Sequence, residues 1–192
     1  YTTLFRSTTF FGDYFLLTSG LITSERYLQL LEVLIQTHVD NVGRFAYSVA
    51  DSSIDTWVDG YVKGTPGRKV SIYNEGCLLA FILDTKIREA THNKSTLQHL
   101  MNRLFYAFGL THIGYSEKDI LSQLQQLSGI DFSVLFEQYI NASNGYESLL
   151  QEAFSFYGIE LRQEVPAELY KGSLGIKILT KTEKTFIIDI AP

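Results

Sequence analysis

The sequence predicts a mainly α-helical array followed by a short, incomplete β unit. Apolar residues recur at helical spacing along most of the chain before Gly158, and the segments after it are β-branched and alternate between polar turns. The 192-residue chain is long enough for a packed core. We expect a domain boundary near residues 160–168, around Pro166, with a helical part in residues 1–162 and strands in residues 168–192.

The first helix is predicted to begin at Ser24, which we assign as its N-cap before Glu25. Its apolar positions have helical spacing and predict one buried face. These positions are Tyr27, Leu28, Leu31, Leu34, Ile35 and His38 or Val39. The following residues 41–70 are rich in Gly, Ser and Asp, so we predict an irregular segment there.

The most apolar helix is predicted over residues 73–90. It is apolar on nearly every side, which is typical of a central helix. We expect its inner positions to be largely buried, namely Cys77, Ala80, Phe81 and Leu83. Its start carries a polar cluster that a core helix does not require, formed by Ser71, Tyr73, Asn74 and Glu75.

Four further helices are indicated by residues that favour helix ends. The predicted starts are Ser95, Ser116, Asp131 and Tyr146, and the predicted stops include Gly109, Gly129 and Gly158. Gln98 and Asp119 lie three residues after the first two starts, which is the spacing of a capping box.

Several classes of function are disfavoured by composition. The net charge of −5 without clustered Lys and Arg argues against nucleic-acid binding. Cys77 is the single cysteine, so neither an internal disulfide framework nor a cysteine-based zinc site is expected. No apolar run reaches the ~18 residues of a membrane span. There is also no Gly-x-Ser-x-Gly motif and no glycine-rich phosphate loop.

The four histidines do not predict a metal site. No two of them are four residues apart on a helix, and there is no His-Glu-x-x-His motif. We therefore expect no metal ligands in this chain. The chain begins at Tyr1 and its one methionine is Met101, so we expect it to be part of a longer protein.

The stretch from Ser71 to Arg88 reads Ser-Ile-Tyr-Asn-Glu-Gly-Cys, then an apolar run into Leu-Asp-Thr-Lys-Ile-Arg. It resembles the glycyl aminopeptidase family of zinc metallopeptidases, which shows Ser-Tyr-Tyr-x-Lys-Gly followed by an apolar run and Leu-Asp-x-x-Ile-Arg. Upstream, Gly43-Arg44 and Trp57 are similar to further signature positions of that family. The resemblance covers most of residues 8–160.

The resemblance implies a thermolysin-like catalytic domain followed by a PDZ domain. This chain would then be the C-terminal helical part of the catalytic domain and the first PDZ strands. Leu174, Gly175 and Ile176 look like the PDZ loop whose backbone N–H groups bind a peptide carboxylate, although a plain strand start explains them equally well. A peptide or protein substrate is implied, and zinc is expected in an intact family member.

Tyr73 matches the family tyrosine that donates a hydrogen bond to the oxyanion of the tetrahedral intermediate. We expect its hydroxyl to face an open cleft that is also bordered by Phe5 to Thr9. The alternative is a tyrosine at a helix start whose hydroxyl only meets solvent.

Several positions depart from the family pattern, among them Arg6 in place of a glycine and Ile72 in place of the first tyrosine. Phe5 falls where the family has the glutamate that is its third zinc ligand, and Glu75 replaces a lysine. Phenylalanine cannot ligate zinc, so either the site is degenerate or the N-terminus is out of register with the family. The chain is therefore either a fragment of a zinc-dependent aminopeptidase that is inactive alone, or part of a non-catalytic relative that binds peptides or proteins. An upstream His-Glu-x-x-His motif would distinguish the two.

Overall fold

The computed structural model describes residues 7–59, 67–110, 112–163, 176–181 and 184–190. The chain divides into two units, Tyr1–Ile159 and Glu160–Pro192. The described part of the chain is mainly helical, as predicted. Its α-helices are α1 (Thr8–Thr18), α2 (Ser24–Asp40), α3 (Val49–Asp59), α4 (Ile72–Ala90), α5 (Leu97–Leu104), α6 (Glu117–Ser128), α7 (Ser133–Leu135) and α8 (Glu147–Phe156). A 3₁₀ turn spans Val42–Phe45, and π-helical turns span Phe105–Gly109 and Phe136–Ile140.

The centre of the first unit is α4, which packs against α1, α2, α3, α5, α6 and α8. The prediction of a central helix is confirmed, and the four positions named for burial are all buried. The ring of Phe81 packs against Phe154 and Tyr157 at centroid distances of 5.1 and 5.9 Å. An apolar surface on all sides of α4 is therefore explained by neighbours on all sides.

A buried carboxylate on α4 connects three helices. Asp84 accepts a hydrogen bond from the backbone N–H of Leu97 at 2.7 Å, which satisfies a donor at the start of α5. Its other oxygen lies 2.6 Å from Nε of Arg88, whose Nη2 donates to the hydroxyl of Tyr14 on α1 at 3.1 Å. The Asp and Arg of the Leu-Asp-x-x-Ile-Arg stretch thus hold α4 to the start of α5 and to α1.

Three predicted helix starts, Ser24, Ser95 and Asp131, are wrong by one residue; for the last, the N-cap of α7 is Phe132. Ser24 is the first residue of α2 and not its N-cap, because the hydroxyl of Thr23 accepts the bond from the backbone N–H of Arg26 at 3.2 Å. In the same way, Thr96 rather than Ser95 precedes α5. Adjacent Ser and Thr residues have similar capping ability, so the sequence pattern alone did not separate them.

At the start of α5 the reciprocal partner is His99 and not Gln98. The backbone N–H of Thr96 donates to Nδ1 of His99 at 3.1 Å. The predicted capping box of α6 is confirmed, since the hydroxyl and backbone N–H of Ser116 both lie 2.7 Å from Oδ2 of Asp119. Asp131 accepts a bond from the backbone N–H of Ser133 at 2.8 Å, just before α7.

Residues 41–70 are more regular than predicted, because they contain the 3₁₀ turn and α3. Ser48 organises the start of α3: its hydroxyl accepts from the backbone N–H of Asp51 and donates to the carboxylate. Ser52 is buried and accepts a bond from the backbone N–H of Val70 at 3.1 Å. Serine residues that suggested a loop therefore form a close-packed helix face.

In the second unit, β1 (Ile176–Lys181) pairs antiparallel with β2 (Lys184–Ile190). Leu179 lies opposite Phe186, and the register shifts between Lys177 and Ile178. The boundary near residues 160–168 and the assignment to a PDZ domain remain predictions. Among the helices in the described ranges, none is long and apolar enough to cross a membrane.

Candidate functional site at the start of α4

The polar cluster at the start of α4 has two exposed members, Ser71 and Tyr73, and two buried ones, Asn74 and Glu75. Ser71 is the N-cap, and its hydroxyl accepts a bond from the backbone N–H of Asn74 at 3.4 Å. Tyr73 is 38% exposed, whereas Ile72, Asn74 and Glu75 are buried. The first turn therefore presents the tyrosine outward while its polar neighbours point into the protein.

Glu75 is the centre of a buried hydrogen-bond cluster. Its Oε2 lies 2.7 Å from Nδ1 of His38, and it also accepts a bond from the hydroxyl of Tyr146. Its Oε1 accepts a bond from Nδ2 of Asn74 at 3.3 Å. We call these four residues, His38, Asn74, Glu75 and Tyr146, the Glu75 cluster. All four are buried.

The donors around Glu75 explain how a carboxylate is accommodated in the interior. A buried charge is costly unless partners satisfy it, and here three side chains from different segments converge on one carboxylate. Burial and the neighbouring charge of Glu75 raise the pKa of Tyr146 well above its ordinary value. The phenol of Tyr146 therefore keeps its proton and acts as a donor.

The cluster ties the start of α4 to two other segments. Nδ2 of Asn74 also donates to the backbone carbonyl of Leu34 on α2 at 3.0 Å, in addition to the contact of Glu75 with His38 on the same helix. Tyr146 immediately precedes α8, and its ring lies 4.3 Å from that of His38. The turn that carries Tyr73 is consequently held by side chains of α2 and of the α8 start.

A charged pair lies next to the cluster. The guanidinium of Arg44 contacts the carboxylate of Glu147 and lies over the ring of Phe45, with Cζ 4.1 Å from the ring centroid. Nε2 of His38 is 3.9 Å from Oε1 of Glu147. Within the described residues, Nε2 of His38 and Nε of Arg44 are buried without a hydrogen-bond partner. His38 thus lies between two carboxylates.

The ionised form of Glu147 is favoured by its surroundings. Partial burial opposes ionisation, but the backbone N–H of Glu147 and the Arg44 guanidinium outweigh this effect and hold the pKa of the carboxyl below its usual value. Glu147 is therefore a carboxylate at neutral pH, and it faces both His38 and Arg44.

Of the predicted site residues, only Tyr73 has a described side chain. Tyr73 lies at the start of α4, but the cleft expected next to Phe5 to Thr9 stays a prediction because residues 5 and 6 lie outside the described part of the chain. Leu174 and Gly175 are also outside it, and only the backbone of Ile176 is described, at the start of β1.

Sequence reasoning missed that His38 and Tyr146 meet at Glu75. The available signal was weak: His38 occupies an apolar position on the buried face of α2, which predicts burial but gives no partner. The contact partners are 37 and 71 residues from Glu75 in sequence, and the fold alone brings them together.

Zinc does not fit the residues that the structure describes. No group of three or more His, Cys, Asp or Glu side chains in the described ranges is arranged to hold a metal ion. A catalytic zinc requires three protein ligands. No zinc-dependent step is therefore assigned to the described residues.

Comparison with known proteins connects this geometry to a family. The family model described as M61 glycyl aminopeptidase matches residues 7–79, which include Tyr73 and the Glu75 position. The chain is also similar to the crystal structure of an aminopeptidase N family protein from Idiomarina loihiensis, with a TM-score of 0.81 and 27% sequence identity. These findings support the glycyl aminopeptidase family. The similarity covers 99% of this chain and 35% of that one, so the chain spans about a third of its structural relative. No curated protein sequence matches the chain.

Proposed function

We propose that the chain is the C-terminal helical part of the catalytic domain of a zinc-dependent aminopeptidase, followed by the first strands of a PDZ domain. In this proposal the chain contributes to the active site but does not hold the metal, and it is inactive alone. The family match over residues 7–79 and the similarity to an aminopeptidase N family structure support the proposal.

The observation that carries the proposal is the placement of Tyr73. It is the partly exposed side chain of a first turn whose neighbours Ile72, Asn74 and Glu75 are buried. A donor for a developing oxyanion must be fixed before the reaction and must reach the substrate. Two features support this role for Tyr73: its helix is held in the core, and its side chain is partly exposed.

The chemical role of Tyr73 is to donate a hydrogen bond. As the peptide carbonyl becomes tetrahedral, its oxygen gains negative charge, and a phenol already aimed at that oxygen stabilises the charge. Removing one such donor lowers turnover by roughly 10²- to 10³-fold in other enzymes. The role requires a peptide substrate bound in the larger protein, and metal ligands supplied by residues other than the described ones.

The second candidate is a non-catalytic relative that binds peptides or proteins. Phe5 at the position of the third zinc ligand and Glu75 at the position of a family lysine favour it. In this case Tyr73 would contribute to peptide binding without any bond cleavage. The two candidates make different predictions for the longer protein.

Two measurements test the proposal. The 192-residue chain is purified and assayed for zinc by elemental analysis and for release of chromophore from glycyl and alanyl anilides. We expect no stoichiometric zinc and no hydrolysis. The same assays are then applied to the longer protein that contains the chain.

The result for the longer protein separates the candidates. Stoichiometric zinc with chelator-sensitive hydrolysis supports the aminopeptidase. Absence of both, together with measurable binding of peptides, supports the non-catalytic relative and overturns the enzyme proposal. Zinc and activity in the isolated chain would contradict the assignment of the metal site to other residues.

A further inference from the structure

We propose that Glu75 is the positioning residue for Tyr73. Its carboxylate holds the first turn of α4 against α2 and against the start of α8, and thereby sets the position of the Tyr73 hydroxyl. The importance of Tyr73 rests on the function proposed above, but its positioning by Glu75 is tested on the isolated chain without any activity.

The side chains of Tyr73 and Glu75 lie on different faces of α4. Residues two apart on a helix point in nearly opposite directions, and accordingly Tyr73 is 38% exposed while Glu75 is 2% exposed. In our proposal the influence of Glu75 on Tyr73 passes through the backbone of the first turn, Ile72 to Glu75. Glu75 is a positioning group and not a group that contacts the substrate.

Besides Glu75, the cap at Ser71 and the bond from Asn74 to the carbonyl of Leu34 at 3.0 Å hold the first turn. Helix starts fray because their N–H groups lack partners within the helix. The hydroxyl of Ser71 caps the turn through a long bond of 3.4 Å to the N–H of Asn74. By contrast, Glu75 makes a 2.7 Å contact with His38 and also binds Tyr146 and Asn74. Three of the polar side-chain contacts that hold the turn thus converge on one carboxylate, and two of them reach other helical segments.

Loss of the carboxylate would leave buried donors without an acceptor. His38 and Tyr146 would each lose the acceptor that they share, and an unsatisfied buried group costs about 1–3 kcal/mol. We expect the start of α4, which carries the missing acceptor, to shift as the buried donors on α2 and before α8 recover hydrogen bonds. Tyr73 would move with it.

Two substitutions at Glu75 should displace Tyr73 to different extents. Glu75→Leu removes both acceptor oxygens and keeps an apolar side chain of similar length. Glu75→Gln keeps the shape and one acceptor, and its amide group can donate to Nδ1 of neutral His38. We therefore expect a large displacement in the leucine variant and a smaller one in the glutamine variant. Glu152→Gln is the matched control, because Glu152 joins α8 to α4 through Lys86 at the surface.

The experiment is NMR on the 192-residue chain with ring-¹³C-labelled tyrosine. The Tyr73 signal is assigned by its loss in Tyr73→Phe. In Glu75→Leu we expect this signal to shift and broaden, and its contacts to neighbouring side chains to change. In Glu75→Gln we expect a smaller shift in the same direction. The exposed Tyr106 provides a reference signal that should not respond.

The outcomes decide the proposal. An unchanged Tyr73 signal in Glu75→Gln, accompanied by a shifted Tyr146 signal, would show that the cluster is altered without moving Tyr73, and would overturn it. If Glu75→Leu fails to fold, the glutamine variant alone decides the question. A Tyr73 shift of equal size in Glu152→Gln would also overturn it, because the effect would then be general to α4.

A second readout applies where the longer protein is an active peptidase. Displacement of a reacting group by about 1 Å costs on the order of 100-fold in rate. Glu75→Gln should then lower kcat with little change in KM, and this loss should disappear in the Tyr73→Phe background. An equal loss in both backgrounds would exclude positioning. If no activity exists, the proposed function fails while the NMR result on the chain still stands.

Discussion

Nδ1 of His38 lies 2.7 Å from Oε2 of Glu75, and both side chains are almost completely buried. This contact joins α2 to the first turn of α4, on the turn that carries Tyr73. A buried pair of this kind is weak evidence for net stabilisation, but removal of one partner leaves the other uncompensated. The pair therefore makes a sharp prediction about stability.

His38→Leu should lower the free energy of unfolding by about 3 kcal/mol, because it leaves the Glu75 carboxylate buried with fewer donors. The measurement is urea-induced unfolding followed by circular dichroism. Lys86→Met is the control, because it breaks a surface pair with Glu152 and should change stability by less than about 1 kcal/mol.

The double variant His38→Leu/Glu75→Leu distinguishes a buried-charge effect from lost packing. Because it removes both partners, it should be less destabilised than the sum of the two single variants, by about 0.5–3 kcal/mol of coupling. Strict additivity would show that the two side chains contribute independently and that the contact has no energetic coupling.

Glu147 predicts a dependence of stability on pH. Its pKa in the folded protein is below the ordinary value of 4.5, with burial opposing and the backbone N–H and Arg44 favouring ionisation. The unfolded carboxyl binds its proton first, so the stabilisation is fully present above pH 4.5 and is lost as the pH falls through the lower folded value. The side chain is nearly half exposed, so we expect less than about 1 kcal/mol.

Glu147→Gln should therefore be less stable than the parent chain near neutral pH, and the difference should shrink below pH 4.5. Unfolding midpoints in urea at several pH values measure it. Glu152→Gln, also on α8, serves as the surface control. A difference that stays constant or grows on acidification would show that the Arg44 contact does not stabilise the folded protein.

The long helices could be predicted because their determinants are local. The apolar run of α4 and the Ser116–Asp119 capping box are readable within one segment, and both are confirmed. The caps at Thr23 and Thr96 differ from prediction by one residue because neighbouring Ser and Thr compete for the same role.

Other elements depend on contacts that the sequence does not display. No helix is predicted at α1, and α3 lies in a segment that composition suggested to be irregular. Ser52 is an example: it is buried in α3 and accepts a bond from the backbone N–H of Val70, whereas the composition of its segment suggested a turn. Composition cannot distinguish these uses, because the partner is distant in sequence.

The candidate site was predictable only in part. The resemblance to a family pointed to Tyr73, whereas Glu75 stood out as a polar residue at the start of a core helix and as a departure from the family pattern. That Glu75 is bound by His38 and Tyr146 depends on how α2, α4 and α8 meet. A long-range cluster of this kind leaves no periodic signal in any one of its segments.

Phe81→Asp tests the core assignment of α4. Phe81 is 6% exposed and packs against Phe154 and Tyr157, so the aspartate would place an unpaired charge among aromatic rings. We expect the helical unit to unfold, as measured by loss of the cooperative thermal transition. Phe105→Asp, at a position that is 56% exposed, should fold. A Phe81→Asp variant that melts like the parent would contradict the assignment of α4 to the core.

Tyr73→Phe tests the remaining functional assignment. The ring is retained and the lost hydroxyl belongs to a partly exposed side chain, so we expect the free energy of unfolding to change by no more than about 0.5 kcal/mol. In a longer protein with peptidase activity, kcat should fall by roughly 10²- to 10³-fold, because the hydrogen bond is made mainly in the transition state. Tyr106→Phe, on the exposed surface beyond α5, is the control and should leave both quantities unchanged.

A large loss of stability in Tyr73→Phe would indicate that the hydroxyl has a structural role. Unchanged kcat in an active protein would show that Tyr73 only begins the helix, and that another donor stabilises the oxyanion.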